Sequence, residues 1–190
     1  MLSDEQNEAL HDLRSVKGLP TADAVLPSED DHRARYRTAL LEDLQAAERA
    51  GASFYGDAPA RVADVNDIAE ELSTDLVRQV RVRLERSFEG TDDPEEVADR
   101  IRTLYREWKT QRIADSARHF VITAFSRGVA EAAPDGSSFR WLVDHGGEAA
   151  PDCDDNALAG AVAKGEPFPT GDLCPPVHPG CRCVVVPVAG

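Results

Sequence analysis

Apolar residues recur at helical spacing through the middle of this chain of 190 residues. In the first part of that stretch they lie four positions apart, at Ile68, Leu72, Leu76, Val80 and Leu84. Side chains with this spacing lie on one face of an α-helix, so the pattern predicts a long amphipathic helix. The chain is therefore expected to fold around a mainly α-helical body.

A second long helix is predicted to begin at Asp93. An acidic residue stands there at the N-cap, Pro94 follows at the first helical position, and Glu96 lies at the third. This combination is typical of a helix start. Apolar residues at helical spacing continue beyond it, with a break expected near Thr110. The Pro-Asp-Gly sequence at 134–136 predicts the end of the helical part.

The N-terminal region carries shorter helix signals. Ser3 followed by Gln6 fits a capping box at the start of a short helix. Glycine, proline and small residues between 18 and 27 predict a linker. Ser28 then fits the N-cap of a further helix, which Gly51 is expected to end.

The last part of the chain changes in character. Short apolar runs at 139–143 and 184–188 predict strands, and Gly, Pro, Asp and Cys lie between them. We predict an α+β fold, with a mainly helical body and a small, loop-rich C-terminal unit that contains short β-strands. The expected segments are a helical N-terminal segment with linkers (1–63), a long-helix body (64–133) and a C-terminal unit carrying Cys and His (134–190).

Composition and charge exclude some classes of protein. Hydrophobic residues make up 42% and charged residues 29%, as in a folded globular protein. The net charge of −14 argues against a protein that coats nucleic acid through bulk positive potential. Apolar runs are too short for a membrane span, and the N-terminus lacks the pattern of a secretory signal. We therefore expect a cytoplasmic protein without membrane contact.

Positive charge is concentrated in the near-neutral middle of the chain, where almost every base is arginine. These side chains are expected mainly to be solvated and to pair with glutamates such as Glu85, Glu89 and Glu107. A weak contact with DNA is the alternative. The basic residues concerned are Arg78, Arg81, Arg83, Arg86, Arg102, Arg106 and Lys109.

The clearest chemical motif lies near the end of the chain. Pro179 and Gly180 suit the two central positions of a type II turn, which would bring the Cα atoms of His178 and Cys181 within about 7 Å. Cys183 lies two residues beyond Cys181, so both side chains point to the same side of an extended chain. The spacing predicts that three potential metal ligands converge.

A fourth ligand would come from Cys153 or Cys174. Sulfur and imidazole ligands in a tetrahedral set are the preference of structural zinc. Three alternatives remain at this point: small buried cysteines with a hydrogen-bonded His178, a disulfide formed in an oxidising medium, and a thiolate pair of His178 with Cys181. The rest of the sequence offers no phosphate-binding loop, metalloprotease motif or nucleophile elbow, so a non-enzymatic protein is expected.

These residues also carry a family resemblance. The segments 141–144, 151–156, 165–171 and Pro-Pro-Val-His-Pro-Gly-Cys-Arg-Cys at 175–183 resemble the C-terminal motif of the Mu F-like minor head proteins of tailed phages, the head morphogenesis family. The helical stretch 112–133 is similar to the helix that precedes that motif, and the likeness covers about residues 65–188. One position departs from the family pattern, because Ala150 replaces the first cysteine of a Cys-Pro-x-Cys pair and leaves only Cys153.

The resemblance implies a structural role. It suggests a phage or prophage minor head protein that binds the portal or the major capsid protein in the host cytoplasm and ends inside the virion head. A structural zinc is implied only where Cys174 replaces the cysteine missing at Ala150, and otherwise the site no longer holds metal. The alternative is a metal-stabilised bacterial protein-interaction module unrelated to capsids.

Overall fold

The computed structural model describes residues 1–54, 63–144, 146 and 150–188. Helices account for 63% of these residues, which confirms the predicted α+β class with a mainly helical body. The helices are α1 (Leu2–Leu13), α2 (Ala22–Val25), α3 (Glu29–Ser53), α4 (Asn66–Phe88), α5 (Pro94–Glu107), a π-helical turn (Trp108–Arg112), α6 (Ile113–Ala132) and α7 (Pro151–Leu158). The strands are β1 (Ser138–Leu142), β2 (Ala161–Ala163) and β3 (Val184–Val188). No described helix combines the length and apolar character needed to cross a bilayer.

The chain forms two compact units, and each is built from two separate stretches of sequence. The first unit contains residues 1–40 and 69–116, and the second contains residues 41–68 and 117–190. Helix α3 therefore contributes residues to both units. The division into three consecutive segments made from the sequence stays a prediction.

The predicted amphipathic face of α4 forms much of the core of the first unit. Leu72, Leu76, Val80 and Leu84 are all buried, as their spacing indicated. Ile68, the first residue of the pattern, is buried as well but belongs to the second unit. The periodicity thus gave the buried face correctly but not the boundary between the units.

Helix α1 is held in the first unit by a buried carboxylate. One oxygen of Glu5 accepts hydrogen bonds from the hydroxyls of Tyr36 (3.2 Å) and Tyr105 (2.7 Å), and the other lies 3.1 Å from Nε2 of His32. All four residues are buried. Burial raises the pKa values of both tyrosines above their usual range, and the neighbouring Glu5 raises them further, so both hydroxyls stay protonated and remain donors. The network joins α1 to α3 and α5.

Two N-terminal predictions need correction. The capping box at Ser3 and Gln6 is not formed, because α1 begins at Leu2 and these two side chains instead accept hydrogen bonds from Nζ of Lys109. The predicted linker at 18–27 contains α2. Contacts with a distant helix order this segment. The guanidinium of Arg81 donates hydrogen bonds to the carboxylate of Asp23 and to the carbonyl of Pro27.

The predicted start of α5 is confirmed in detail. The carboxylate of Asp93 accepts a hydrogen bond from the backbone N–H of Glu95 at 3.0 Å, with Pro94 at the first helical position. At Thr110, where a break was expected, the helical rise continues through the π-helical turn Trp108–Arg112. A wider turn absorbs the irregularity without ending the helix.

Substituting Asp93 by alanine is expected to lower the free energy of unfolding by about 1 kcal/mol, since an N-terminal N–H of α5 loses its acceptor. Urea unfolding followed by circular dichroism measures the change. Asp92→Ala is the matched control, because Asp92 is an exposed acid beside the cap that does not hold this N–H. Equal losses in the two variants would contradict the capping role.

Helices α3 and α6 approach to backbone contact in the second unit. A Cβ atom on Gly51 would lie 1.9 Å from the carbonyl oxygen of Phe125, and one on Gly128 would lie 2.0 Å from the carbonyl oxygen of Glu48. Gly51 was predicted to end α3, but the helix continues to Ser53. Gly51 instead allows α3 and α6 to pack closely. A residue pattern within α3 alone does not reveal a contact with another helix.

A three-stranded antiparallel sheet completes the second unit. Its order is β2-β1-β3, with Phe139 opposite both Val162 and Pro187. The strands predicted at 139–143 and 184–188 are therefore confirmed within one residue. Strand β2 and helix α7 were not predicted, since β2 has only three residues and α7 is a short, acidic helix.

Candidate metal centre

Three buried thiols meet beside the sheet of the second unit. Cys153 lies in the first turn of α7, and Cys181 and Cys183 lie in the segment that leads into β3. Their sulfur atoms are all within 4.8 Å of one another, and each residue is at most 3% exposed. The three thiols could together bind a metal ion.

The turn predicted before Cys181 is present and positions it. The backbone N–H of Cys181 donates to the carbonyl of His178 at 3.1 Å, and Gly180 has φ of +80°. A positive φ at the third position of a four-residue turn is the signature of type II geometry, which glycine adopts without strain. The sequence pattern thus predicted both the turn and the pair of side chains that it brings together.

His178 contributes a ring nitrogen to the edge of the thiol cluster. Its Nε2 lies 3.2 Å from the sulfur of Cys153, and its Nδ1 lies 3.0 Å from the carbonyl oxygen of Pro179. A carbonyl only accepts, so Nδ1 carries the proton and donates. In this tautomer Nε2 accepts a hydrogen bond from the thiol of Cys153, and it is the nitrogen that would be available to a metal in place of that proton.

The distances from Cys153 are close to those of a tetrahedral site. With Zn–S bonds of about 2.3 Å, two sulfur ligands of a tetrahedral zinc lie about 3.8 Å apart, and a sulfur and an imidazole nitrogen about 3.6 Å apart. The sulfur atoms of Cys153 and Cys181 are 3.8 Å apart, and the contact of Cys153 with His178 is slightly shorter than the tetrahedral value. The three sulfur atoms lie within 4.8 Å of one another, whereas Nε2 of His178 contacts only Cys153 among them and would have to move towards Cys181 and Cys183 to complete a set of four.

Cys174 does not join this group. It is half-buried and packs against the core around the cluster, but its sulfur is not among those that lie within 4.8 Å of one another. Burial raises the pKa of its thiol, and the positive charge of Arg127 opposes that rise. Of the two cysteines that the sequence offered as a fourth ligand, the structure brings Cys153 to the site.

Two of the buried thiols, those of Cys153 and Cys183, are poor nucleophiles. Burial raises the pKa of Cys153, and hydrogen bonding to Cys183 and the proximity of Cys181 raise it further. Burial also raises the pKa of Cys183, although the neighbouring indole of Trp141 counteracts the rise. Thiols of this kind are protonated near neutral pH, whereas reactive cysteines have a lowered pKa. All four cysteines are free thiols.

Polar and aromatic contacts that sequence reasoning missed support the site. Asn156 follows Cys153 by one turn of α7, and its side-chain amide exchanges hydrogen bonds with the backbone N–H and the hydroxyl of Thr170. Phe168 lies in the same loop and packs edge-on against Trp141, with ring centroids 5.0 Å apart. The loop thereby covers α7 and the cluster. No local sequence signal identifies these partners, which lie 14 residues apart or more.

Comparisons with protein-family models, with curated proteins and with solved structures give no match for this chain.

Proposed function

We propose that this chain is a non-enzymatic minor head protein of a tailed phage or prophage, which binds portal or major capsid subunits during head assembly. The observation that carries the proposal is the convergence of Cys181 and Cys183 of the 175–183 motif with Cys153 in one buried centre, with His178 of the same motif against Cys153. These are the motif residues that resemble the head morphogenesis family. Burial raises the pKa of Cys153 and Cys183, and thiols of this kind are suited to holding a structural ion rather than to turnover.

The metal we propose is zinc, held by Cys153, His178, Cys181 and Cys183. Three soft sulfur ligands and one imidazole are typical of closed structural zinc sites. Four protein ligands complete the tetrahedron, so the ion would supply folding free energy and hold α7 against the segment before β3. The cysteine that Ala150 replaces is then not needed, because His178 supplies the fourth ligand beside the three cysteines.

Protein purified without added metal is expected to carry about one equivalent of zinc, because the donor set is complete in one chain. Elemental analysis measures the content, and melting in the presence of a strong chelator should occur at a clearly lower temperature. Less than about a tenth of an equivalent, with melting unchanged in chelator, would contradict the site.

The charged side chains support a protein partner over DNA. Several of the arginines in the middle of the chain are paired, and Arg78, Arg81 and Arg102 contact Asp75, Asp23 and Asp99. The predicted pairing with acidic residues is thus present, although with aspartates rather than the glutamates named from the sequence. With a net charge of −14 as well, contact with packaged DNA would be weak and sensitive to salt.

Co-expression with the portal and major capsid proteins of the same genome tests the assembly role. We expect the chain to co-purify with portal or to sediment with procapsids. The double variant Cys181→Ser, Cys183→Ser should be incorporated less, since its C-terminal unit loses the ion that stabilises it, whereas Cys174→Ser should be incorporated normally. A chain that binds zinc but is never found with portal or heads would instead be an interaction module unrelated to capsids.

A further inference from the structure

Trp141 occupies the centre of the sheet beside the thiol cluster. It lies in β1, the middle strand, opposite Val185, which follows Cys183 by two residues. The side chain is 1% exposed, and its indole ring packs edge-on against Phe168. Trp141 and Cys183 belong to the same buried core.

The indole N–H of Trp141 is buried without a hydrogen-bond acceptor among the described residues. Buried tryptophans usually find a partner for this group, since an unpaired buried donor destabilises the folded state. Cys183 is near enough for the indole to lower the pKa of its thiol, but the contact does not reach hydrogen-bond geometry, and a protonated thiol is a weak acceptor. A thiolate is much stronger, because hydrogen bonds to charged acceptors are roughly twice as strong as neutral ones.

We propose that the indole N–H of Trp141 donates a hydrogen bond to the sulfur of Cys183 when a cation holds that sulfur as a thiolate. Trp141 is then a positioning residue that raises the affinity of the site for metal. This inference rests on the proposed metal site and adds to it the group that stabilises the bound state.

The charge of the loaded site explains why such a donor is needed. Three thiolates around a divalent cation leave a net negative charge among apolar side chains, and a buried charge needs hydrogen-bond donors. Arg182 lies between two of the ligands in sequence, but its side chain is 55% exposed and pairs with Asp144 at 2.8 Å. Trp141 belongs to the same buried core as the three thiols, and its neutral N–H has no acceptor among the described residues, so binding of metal would supply one.

The decisive measurement uses the unsubstituted protein loaded with ¹¹³Cd in place of zinc. If the hydrogen bond exists, the indole proton of Trp141 shows scalar coupling to the metal through the sulfur of Cys183. Trp108, the only other tryptophan, is in the first unit and should show none. A cadmium shift typical of coordination by three sulfurs, with no coupling to Trp141, would overturn the inference and leave the metal site standing. Failure to bind cadmium or zinc at all would instead refute the site itself.

The effect of this hydrogen bond on metal affinity can be measured with a variant of Trp141. Trp141→Phe keeps an aromatic ring and removes the N–H, so the dissociation constant for zinc, measured by competition with a chromophoric chelator, should rise about 10- to 100-fold. The sulfur-to-cobalt charge-transfer band of the Co²⁺ form should shift to longer wavelength, because the thiolate loses a stabilising donor. Trp108→Phe, a matched change in the other unit, should alter neither value. Unchanged affinity and an unchanged band in a folded Trp141→Phe protein would contradict the proposal.

Discussion

Serine in place of Cys153 is expected to release the metal ion and to unfold the sheet of the second unit together with α7. Cys153 contacts both His178 and Cys181, so its removal breaks the centre of the ligand set. Structural zinc contributes about 10 kcal/mol or more to folding of small zinc domains, whereas a whole domain is stable by about 5–15 kcal/mol. The loss of the ion therefore outweighs what packing alone supplies. Elemental analysis and amide hydrogen exchange of β1 and β3 measure the two effects.

The matched control for this variant is Cys174→Ser. Both substitutions remove one thiol from the same unit, but only Cys153 has its sulfur in the cluster. Zinc content and protection of the sheet should be unchanged in Cys174→Ser. If instead Cys174→Ser lost the metal and Cys153→Ser kept it, the alternative ligand set considered from the sequence would be correct and the geometry described above would be wrong.

Alanine in place of Gly128 should destabilise the second unit by about 2–4 kcal/mol. On an exposed helix this change would stabilise by about 1 kcal/mol, because alanine is the better helix former. Here the new methyl group would lie 2.0 Å from the carbonyl oxygen of Glu48, so α3 and α6 would have to separate. Separation also opens the neighbouring contact at Gly51. Chemical unfolding of the variant measures the loss.

Ser126→Ala is the control for Gly128→Ala. Ser126 lies two residues away on the same buried part of α6, and its hydroxyl has no hydrogen-bond partner among the described residues. Removing an unsatisfied hydroxyl should leave stability unchanged or slightly higher. A Gly128→Ala protein that is as stable as Ser126→Ala would show that the two helices can separate at little cost, contrary to the close packing described here.

The helices could be predicted from sequence where a signal lies within one turn or repeats along one face. Asp93 with Pro94 and the buried positions of α4 are of this kind, because a helix start and an apolar face are local properties. The predictions at Ser3 and Gly51 were wrong because contacts with distant residues decide what these two residues do. Ser3 has the residue pattern of a cap but is inside α1 and bonds Lys109, and Gly51 has the pattern of a helix end but packs against Phe125.

The candidate site, too, could be predicted only where the signal is local in sequence. The turn at Pro179 and Gly180 is local, and it correctly placed His178 beside Cys181. The choice between Cys153 and Cys174 is not local, since Cys174 is nearer in sequence while α7 brings Cys153 nearer in space. The unpaired N–H of Trp141 was beyond prediction as well, because it depends on the register between β1 and β3.

The construction of each unit from two distant stretches has a consequence for synthesis on the ribosome. Residues 1–40 belong with residues 69–116, and residues 41–68 belong with residues 117–190. During translation, the nascent segment 41–68 emerges long before its partners and has to wait until most of α6 and the sheet leave the exit tunnel. The thiol cluster forms last, because Cys183 is translated 30 residues after Cys153. Any metal bound at this centre would therefore be captured only after Cys183 has left the exit tunnel.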